Sequence, residues 1–347
     1  MKRIAFIIGS MGKGGAERVI SILSNSYIEK GWNVDIIMLL GSNIDYNISE
    51  KINLIDLSTG KSRVKSSISW IKSLRQYAKN NRPNVIVAFS AMMYFTTYFS
   101  MLGLDIPLIV TERSDPYNDG RNKFIDIFAN LLYPKARAVV LQTERAKSYF
   151  SEKIKNNSVI IPNPIEVRAH ASDNPKKKIV NVGRLVEVKN QKLLINSFYR
   201  INKEFPEYSL HIYGDGVLFD DLKCLIDQLG MNNSVFLEGN VSNIHEAISD
   251  ADFFVLSSNY EGLSNALLEA MMMGLPCIST DCAGSNEYIT NGKSGYIVPI
   301  GDEDELYKAM KNMISNEKLR EEMGVKGRSE VQKCNVDNVI SLWEHYL

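Results

Sequence analysis

Short apolar runs alternate with helix-length segments along the whole chain. Strands that recur between helical segments are typical of parallel sheets with crossover helices. The first series of predicted strands is Arg3–Ile8, Trp32–Leu39, Val85–Phe89, Leu108–Val110, Ala138–Leu141 and Val159–Ile161. The second series is Lys178–Val182, Ser209–Tyr213, Val235–Leu237, Phe253–Leu256, Pro276–Ser279 and Gly295–Val298. The pattern therefore predicts an α/β protein with two doubly wound domains.

The alternation is interrupted once, at the proline-containing segment 161–165 and the polar stretch that leads to Lys178. We therefore predict an N-terminal domain at 1–165 and a C-terminal domain at 175–332, and we expect residues 335–347 to pack back on the first domain. Ligands of such sheets lie at the carboxyl ends of the strands. A ligand site in a cleft between the two domains follows as an expectation.

Two apolar segments each allow a second interpretation, as a membrane span or as a signal peptide. Residues 85–104 carry no charge and approach the length of a membrane span. A buried strand–helix–strand unit explains them better, because strands covered on both faces read as continuous apolar runs. Residues 1–8 begin like a signal peptide, but the apolar run is too short, so they indicate a first strand rather than an export signal.

Composition and charge limit the class of protein. The 347 residues are 45% hydrophobic and 23% charged, which suits two globular domains and excludes a disordered chain. Forty basic and forty acidic residues argue against a bulk nucleic-acid binder. Residues 1–165 nevertheless carry 22 basic and 13 acidic side chains, so that half is expected to face something anionic. Four scattered cysteines and four scattered histidines predict cytosolic thiols and no metal site.

One glycine turn and one pair of cations could hold phosphate, and a second glycine turn could face a base. Gly14 and Gly15 follow the first strand and precede a helix, which suits either an anion-tolerant turn or a plain tight turn. Arg184 and Lys189 follow the first strand of the second domain, where they offer a bidentate fork and a point charge for phosphate oxygens. Isolated surface cations are the alternative interpretation. Gly214, after the next strand, lets a flat base approach the backbone.

The segment after Phe253–Leu256 carries the strongest candidates. Glu261 lies in a loop, and Glu269 lies about one turn inside the helix that follows. The backbone N–H groups of 262–265 at that helix N-terminus would face the same point, which puts acceptors for sugar hydroxyls beside donors for phosphate. A glutamate in a turn and another on a solvated helix face is the alternative for an isolated pair.

Taken together, Glu261 and Glu269, Arg184 and Lys189, and the loop at 14–18 resemble the retaining glycosyltransferases of sequence family four. The resemblance implies the GT-B fold, two facing Rossmann-like domains with a nucleotide sugar in the cleft. It implies that Glu261 contacts the donor sugar and that Glu269 accepts hydrogen bonds from ribose hydroxyls. Arg184 and Lys189 would hold the diphosphate in place of a metal ion. Further nucleotide-sugar contacts are expected at Gly14, Gly15, Gly214, Val241, Gly262, Leu263, Ser264 and Asn265.

Two features depart from or compete with this pattern. Relatives often carry a histidine where Arg113 stands, so Arg113 is expected to hydrogen-bond sugar or phosphate as part of the catalytic set, without acting as a general base. Asp302-Glu303-Asp304 has the spelling of a metal-binding motif. It precedes an apolar-periodic helix, so a helix cap is favoured, and no metal or cofactor is expected.

Residues 60–82 contain seven basic side chains and no acid. At helical spacing, Lys61, Lys65, Lys72 and Lys79 form a stripe beside an apolar arc that includes Trp70, the pattern of an interfacial helix on anionic lipid. An ordinary crossover helix with its lysines in water is the alternative.

The function expected from the resemblance is a retaining, metal-independent glycosyltransferase, peripheral on the inner face of the cytoplasmic membrane. It would move a hexose or N-acetylhexosamine from a UDP-sugar to a polyprenyl-pyrophosphate-linked glycan, as bacterial enzymes that extend such glycans do. A GT-B nucleotide-sugar epimerase and a non-catalytic membrane scaffold are the alternatives, and no nucleic-acid partner is expected.

Overall fold

The computed structural model describes residues 1–12, 14–58, 63–282 and 284–347, without the side chains of 63–66. The chain divides into two compact units. The first comprises Met1–Pro164 with Val336–Leu347, and the second comprises Ile165–Asn335. Each unit is a parallel sheet with an apolar core on both faces.

The first unit has seven strands and seven α-helices within the described residues. The strands are β1 (Arg3–Ile8), β2 (Asn33–Met38), β3 (Asn53–Asp56), β4 (Val85–Phe89), β5 (Leu108–Thr111), β6 (Ala138–Leu141) and β7 (Ser158–Ile160), in the order β3-β2-β1-β4-β5-β6-β7. The helices are α1 (Gly15–Glu29), α2 (Arg63–Asn81), α3 (Ala91–Met101), α4 (Lys123–Leu132), α5 (Glu144–Tyr149), α6 (Glu152–Lys155) and, at the end of the chain, α13 (Val336–Glu344).

The second unit has six strands and six α-helices within the described residues. The strands are β8 (Lys178–Val182), β9 (Ser209–Tyr213), β10 (Val235–Gly239), β11 (Phe253–Leu256), β12 (Cys277–Thr280) and β13 (Tyr296–Val298), in the order β10-β9-β8-β11-β12-β13. The helices are α7 (Gln191–Glu204), α8 (Phe219–Gln228), α9 (Ile244–Ile248), α10 (Asn265–Met273), α11 (Glu303–Ser315) and α12 (Glu317–Glu330).

The strand order of the second sheet reverses between β8 and β11, which are hydrogen-bonded neighbours with Phe253 opposite Ile179. In a doubly wound sheet the loops that leave two such strands diverge to opposite faces and open a crevice at their carboxyl ends. The loops that begin at Gly183 and at Ser257 therefore leave the sheet side by side. The fold therefore places the Arg184–Lys189 loop and the Glu261 loop at this switch point.

The predicted alternation of strands and helices is confirmed, and residues 85–104 with the strand that follows them form the strand–helix–strand unit β4, α3 and β5. The sequence pattern missed one strand, β3. It lies at the sheet edge and is mostly exposed, so its sequence needs no apolar run. No helix in the described part of the chain combines the length and apolar character needed to cross a bilayer.

The helix α2 is a crossover helix, and the prediction that Trp70 contacts a membrane is wrong. The Trp70 ring is buried in the core of the first unit, and its Nε1 donates a 3.0 Å hydrogen bond to the carbonyl of Leu57. Lys72 and Lys79 lie exposed on the outer side of α2. Lys61 and the side chain of Lys65 lie outside the described residues.

The acidic triplet at 302–304 forms the N-terminal cap and first turn of α11, as the sequence predicted. The Oδ1 of Asp302 accepts a 3.0 Å hydrogen bond from the N–H of Glu305, and Asp304 pairs with Arg200 at 2.5 Å. The described residues contain no group of three or more His, Cys, Asp or Glu side chains that could hold a metal ion.

Candidate active site

The loops that follow β8 and β9 are joined by backbone hydrogen bonds. The N–H of Gly183 donates to the carbonyl of Tyr213 at 2.9 Å, and the N–H of Leu185 donates to the carbonyl of Asp215 at 3.0 Å. A third bond of 2.8 Å runs from the N–H of Gly214 to the carbonyl of Gly239, at the end of β10. The carboxyl edge of this half of the sheet is therefore a connected backbone surface.

Glycine is required at Gly214 because two backbones meet there. The residue has φ +131°, and a Cβ atom at this position would overlap the carbonyl oxygen of Gly183. The close approach at Gly214 is to the neighbouring loop, and the predicted approach of a flat base to this glycine stays a prediction.

We expect Gly214→Ala to lower the free energy of unfolding by about 1–3 kcal/mol, because the methyl group forces the two loops apart. Gly230→Ala is the matched control, since Gly230 also has a positive φ of +68° but has no atom within 4 Å of an added Cβ. Urea denaturation of both variants makes the comparison. Equal losses would show that the close contact with Gly183 does not matter.

Lys189 and Glu261 meet where the loops after β8 and β11 converge. Lys189 ends a short 3₁₀ turn at Glu187–Lys189, and its Nζ lies 2.5 Å from Oε1 of Glu261. The Ser258 hydroxyl donates to the same carboxylate oxygen at 2.7 Å. Both charged side chains keep part of their surface exposed, at 17% for Lys189 and 14% for Glu261, so the pair is accessible to a ligand.

The two loops are also fixed to each other through their backbones. The N–H of Asn259 donates to the carbonyl of Val188 at 2.8 Å, and the Ser257 hydroxyl donates to the carbonyl of Lys189 at 2.9 Å. Arg184 lies on the same loop as Lys189 and is exposed. Among the described residues its guanidinium forms no ion pair, which leaves a cation available for an anionic ligand. The structure thus joins motifs about 70 residues apart in the sequence.

The helix α10 begins beside this pair. Ser264 is its N-cap, and the Ser264 hydroxyl accepts a 3.4 Å hydrogen bond from the N–H of Leu267. Leu263 and Ser264 are buried, whereas Gly262 and Asn265 are half-buried. Leu263 therefore anchors the loop in the core, and the start of the helix follows directly on Glu261.

Glu269 is buried rather than on a solvated helix face, and it has a partner that sequence reasoning missed. Nε2 of His245 lies 3.3 Å from Oε2 of Glu269. Nδ1 of the same ring accepts a hydrogen bond from the N–H of Arg168 at 3.2 Å. Because Nδ1 is an acceptor, the neutral ring carries its proton on Nε2 and donates to Glu269. A lone histidine after β10 carries no motif, so only the fold reveals this contact.

The remaining predicted contact of the second unit, Val241, follows β10 and is partly exposed. It lies just beyond Gly239, whose carbonyl accepts the hydrogen bond from Gly214. Val241 is therefore at the carboxyl edge of the sheet, and its contact with a nucleotide stays a prediction.

In the first unit, Gly14 is the N-cap of α1 and Gly15 is its first residue. The Gly14 carbonyl accepts a 2.8 Å hydrogen bond from the Tyr46 hydroxyl, and the carboxylate of Glu17 lies against the Gly14 Cα. A negative side chain at a helix N-terminus is stabilised by the helix dipole. The chain's own carboxylate thus lies beside the start of α1, and nucleotide-sugar contacts of Gly14 and Gly15 stay predictions.

Arg113 is half-buried, and its guanidinium packs within the first unit. Its Nη1 donates to Oδ1 of Asn163 at 2.9 Å, and the guanidinium lies over the rings of Phe89 and Trp343 at 5.5 and 5.8 Å. Its Nε and Nη2 atoms are inaccessible and have no hydrogen-bond partner among the described residues. Burial lowers the pKa of the group to about 9. Two of the three guanidinium nitrogens are therefore closed to a ligand, and a contact of Arg113 with sugar or phosphate stays a prediction.

Two family models match the chain. Residues 13–169 match the model described as Glycosyltransferase Family 4, and residues 163–330 match the model described as Glycosyl transferases group 1. Together the two matches cover residues 13–330 and span both sheets, so the chain belongs to the glycosyltransferases that these models describe.

The chain is also similar to individual glycosyltransferases and to solved structures of the same fold. A glycosyltransferase of unknown specificity from Haemophilus influenzae is 25% identical, covering 100% of both chains. The N-acetylgalactosamine-N,N'-diacetylbacillosaminyl-diphospho-undecaprenol 4-alpha-N-acetylgalactosaminyltransferase of Campylobacter jejuni is 28% identical, covering 92% of both chains. Sucrose-phosphate synthase of Thermosynechococcus elongatus shares the fold with a TM-score of 0.84 at 16% identity, covering 99% of this chain and 98% of that one. Anabaena HepE, solved in complex with UDP and glucose, has a TM-score of 0.83 at 15% identity, covering 99% of both chains.

Proposed function

We propose that the second unit binds a UDP-sugar and that Arg184, Lys189, Glu261 and Glu269 hold it. The observation that carries this proposal is the Lys189–Glu261 pair at the switch point of the sheet. A cation and a carboxylate in contact offer one group to the diphosphate and one to sugar hydroxyls. The UDP in the complex of Anabaena HepE supports the choice of nucleotide.

The acceptor that we propose is a polyprenyl-diphosphate-linked glycan. Two Campylobacter jejuni relatives support it, since their names state that they add N-acetylgalactosamine to undecaprenol-diphosphate-linked glycans. The donor sugar would then be a hexose or an N-acetylhexosamine. Because the polyprenyl tail of such an acceptor lies in a bilayer, we propose that the protein works as a peripheral protein at the anionic inner face of the cytoplasmic membrane.

The proposed reaction retains the anomeric configuration and uses no metal ion. The bond from the anomeric carbon to the β-phosphate oxygen breaks, and the acceptor oxygen bonds to that carbon on the same face. The acceptor proton passes to the departing phosphate oxygen. Arg184 and Lys189 stabilise the negative charge that develops on this oxygen, and electrostatic stabilisation of this kind is usually the largest single contribution to catalysis. Glu261 orients the donor sugar.

The test is transfer from UDP-sugars to a synthetic polyprenyl-diphosphate-linked oligosaccharide in the presence of EDTA, with the new anomeric centre assigned by NMR. We expect a product with the donor configuration, and UDP release that depends on acceptor. Conversion of the donor sugar without acceptor would indicate an epimerase instead. Loss of transfer in EDTA would overturn the metal-independent mechanism.

We expect Glu269→Gln to raise the donor KM about tenfold with little change in kcat, because the ribose contact is made equally in the ground state and the transition state. Glu246→Gln is the matched control, since Glu246 is exposed on α9 next to His245. Steady-state kinetics against donor concentration decides. A fall in kcat at unchanged KM would place Glu269 in the chemical step instead.

A further inference from the structure

The helix α4 presents an apolar face to solvent. Phe124, Ile127 and Leu131 are 72%, 62% and 58% exposed, and Phe128 is exposed beside them. Their spacing of three, one and three residues places them on one side of the helix. The opposite side buries Ala129 in the core of the first unit. A stripe of four large apolar side chains in water marks an interaction surface.

The helix α3 extends this surface. The ring of Phe95 packs against the ring of Phe128 on α4 with centroids 5.7 Å apart. Met92 and Phe99 lie three residues before and four after Phe95, so they share its side of α3, and both are exposed. The α3–α4 face therefore consists of Met92, Phe95, Phe99, Phe124, Ile127, Phe128 and Leu131.

Basic side chains border the α3–α4 face. Arg75 on α2 donates hydrogen bonds of 3.0 and 2.7 Å to the carbonyls of Ser100 and Leu102, at the end of α3. Lys72 and Lys79 lie three residues before and four after Arg75, so they line the same side of α2 and are exposed.

The α4 side of the face is bordered in the same way. Lys123 begins α4, and Lys135 lies over the ring of Tyr98 on α3, 5.4 Å from its centroid. Neither α2 nor α3 contains an acidic residue. The one acid of α4, Asp126, accepts hydrogen bonds from the Tyr149 hydroxyl at 3.0 Å. The helices at the rim therefore carry a net positive charge, although the exposed Asp105 follows α3.

We infer that the α3–α4 face enters the interfacial region of an anionic bilayer, with Lys72, Lys79 and Lys123 on the lipid phosphates. The choice of a bilayer rests on the proposed function, whose acceptor lies there. The charges favour it over a second copy of the chain, because two positive rims repel each other whereas anionic headgroups attract them. The membrane contact is thereby assigned to solvent-exposed aromatic side chains and no longer to the buried ring of Trp70.

The test is sedimentation of the full chain with phosphatidylcholine vesicles that contain or lack phosphatidylglycerol. We expect binding to the anionic vesicles and a loss of at least about tenfold in partitioning for the double variant Phe124→Ser/Ile127→Ser, which removes two inserted side chains. Lys72→Gln/Lys79→Gln should weaken binding to anionic vesicles alone. Val325→Ser is the matched control, because Val325 is 73% exposed on α12 of the second unit.

Three results would overturn the inference. They are no binding of the unaltered chain to anionic vesicles, equal binding by the Phe124/Ile127 double variant, and a dimer in solution that this variant dissociates. UDP binding measured on the same proteins separates the two proposals. A double variant that binds UDP but not vesicles supports the inference, and a chain that binds vesicles but not UDP contradicts the proposed function alone.

Discussion

Lys189→Ala is expected to lower the rate of sugar transfer by about 10²–10³-fold while the protein stays folded. The substitution removes the cation that we assign to the leaving diphosphate. It also leaves the Glu261 carboxylate, 14% exposed, without its ion-pair partner. Lys189 lies in a loop outside both apolar cores, so its loss should not unfold the unit. Single-turnover transfer with saturating donor and acceptor measures the rate, and circular dichroism checks the fold.

Lys192→Ala is the matched control for this prediction. Lys192 lies three residues further along, in the first turn of α7, and is exposed. We expect it to transfer sugar at the rate of the unaltered protein. If Lys189→Ala also kept near-normal turnover, the assignment of the leaving-group cation would be wrong.

Trp343→Ala is expected to lower the free energy of unfolding of the first unit by about 3–5 kcal/mol. The Trp343 ring on α13 is fully buried, and it packs in the same cluster as Val339 and the strand residues Ile4 and Ile36. The guanidinium of Arg113 lies over this ring, 5.8 Å from its centroid. Truncation leaves a cavity and removes the aromatic neighbour of a buried cation.

Hydrogen exchange of the β1 and β2 amides under increasing urea measures this loss within the first unit, without requiring that the two units unfold together. Leu342→Ala is the control at the adjacent position, because Leu342 is 39% exposed. Similar exchange for both variants would mean that α13 does not stabilise the first sheet.

Strand positions were predictable because parallel strands covered on both faces are apolar along their whole length, as β4 and β11 show. The edge strand β3 was not, since its side chains lie largely in water. Trp70 was misplaced for a related reason. A lysine stripe beside an apolar arc describes a crossover helix and an interfacial helix equally well, and only the packing of α2 decides between them.

The candidate site likewise contains some contacts that the sequence predicts and others that it does not. Lys189 and Glu261 were predictable as parts of one site because each follows a strand at the switch point, and the sheet order brings the carboxyl ends together. The contact of His245 with Glu269 depends on where α9 packs, which no local pattern records. The contact of Arg113 with Trp343, 230 residues away in the chain, likewise lies beyond any local pattern.

Calorimetric titration of the full chain with UDP in the presence of EDTA tests the central claim most directly. The account predicts one UDP per chain, with affinity reduced at least about tenfold in Arg184→Ala and in Lys189→Ala and unchanged in Lys192→Ala. Undiminished affinity in both cation variants, or binding that appears only when a divalent metal is restored, would contradict it.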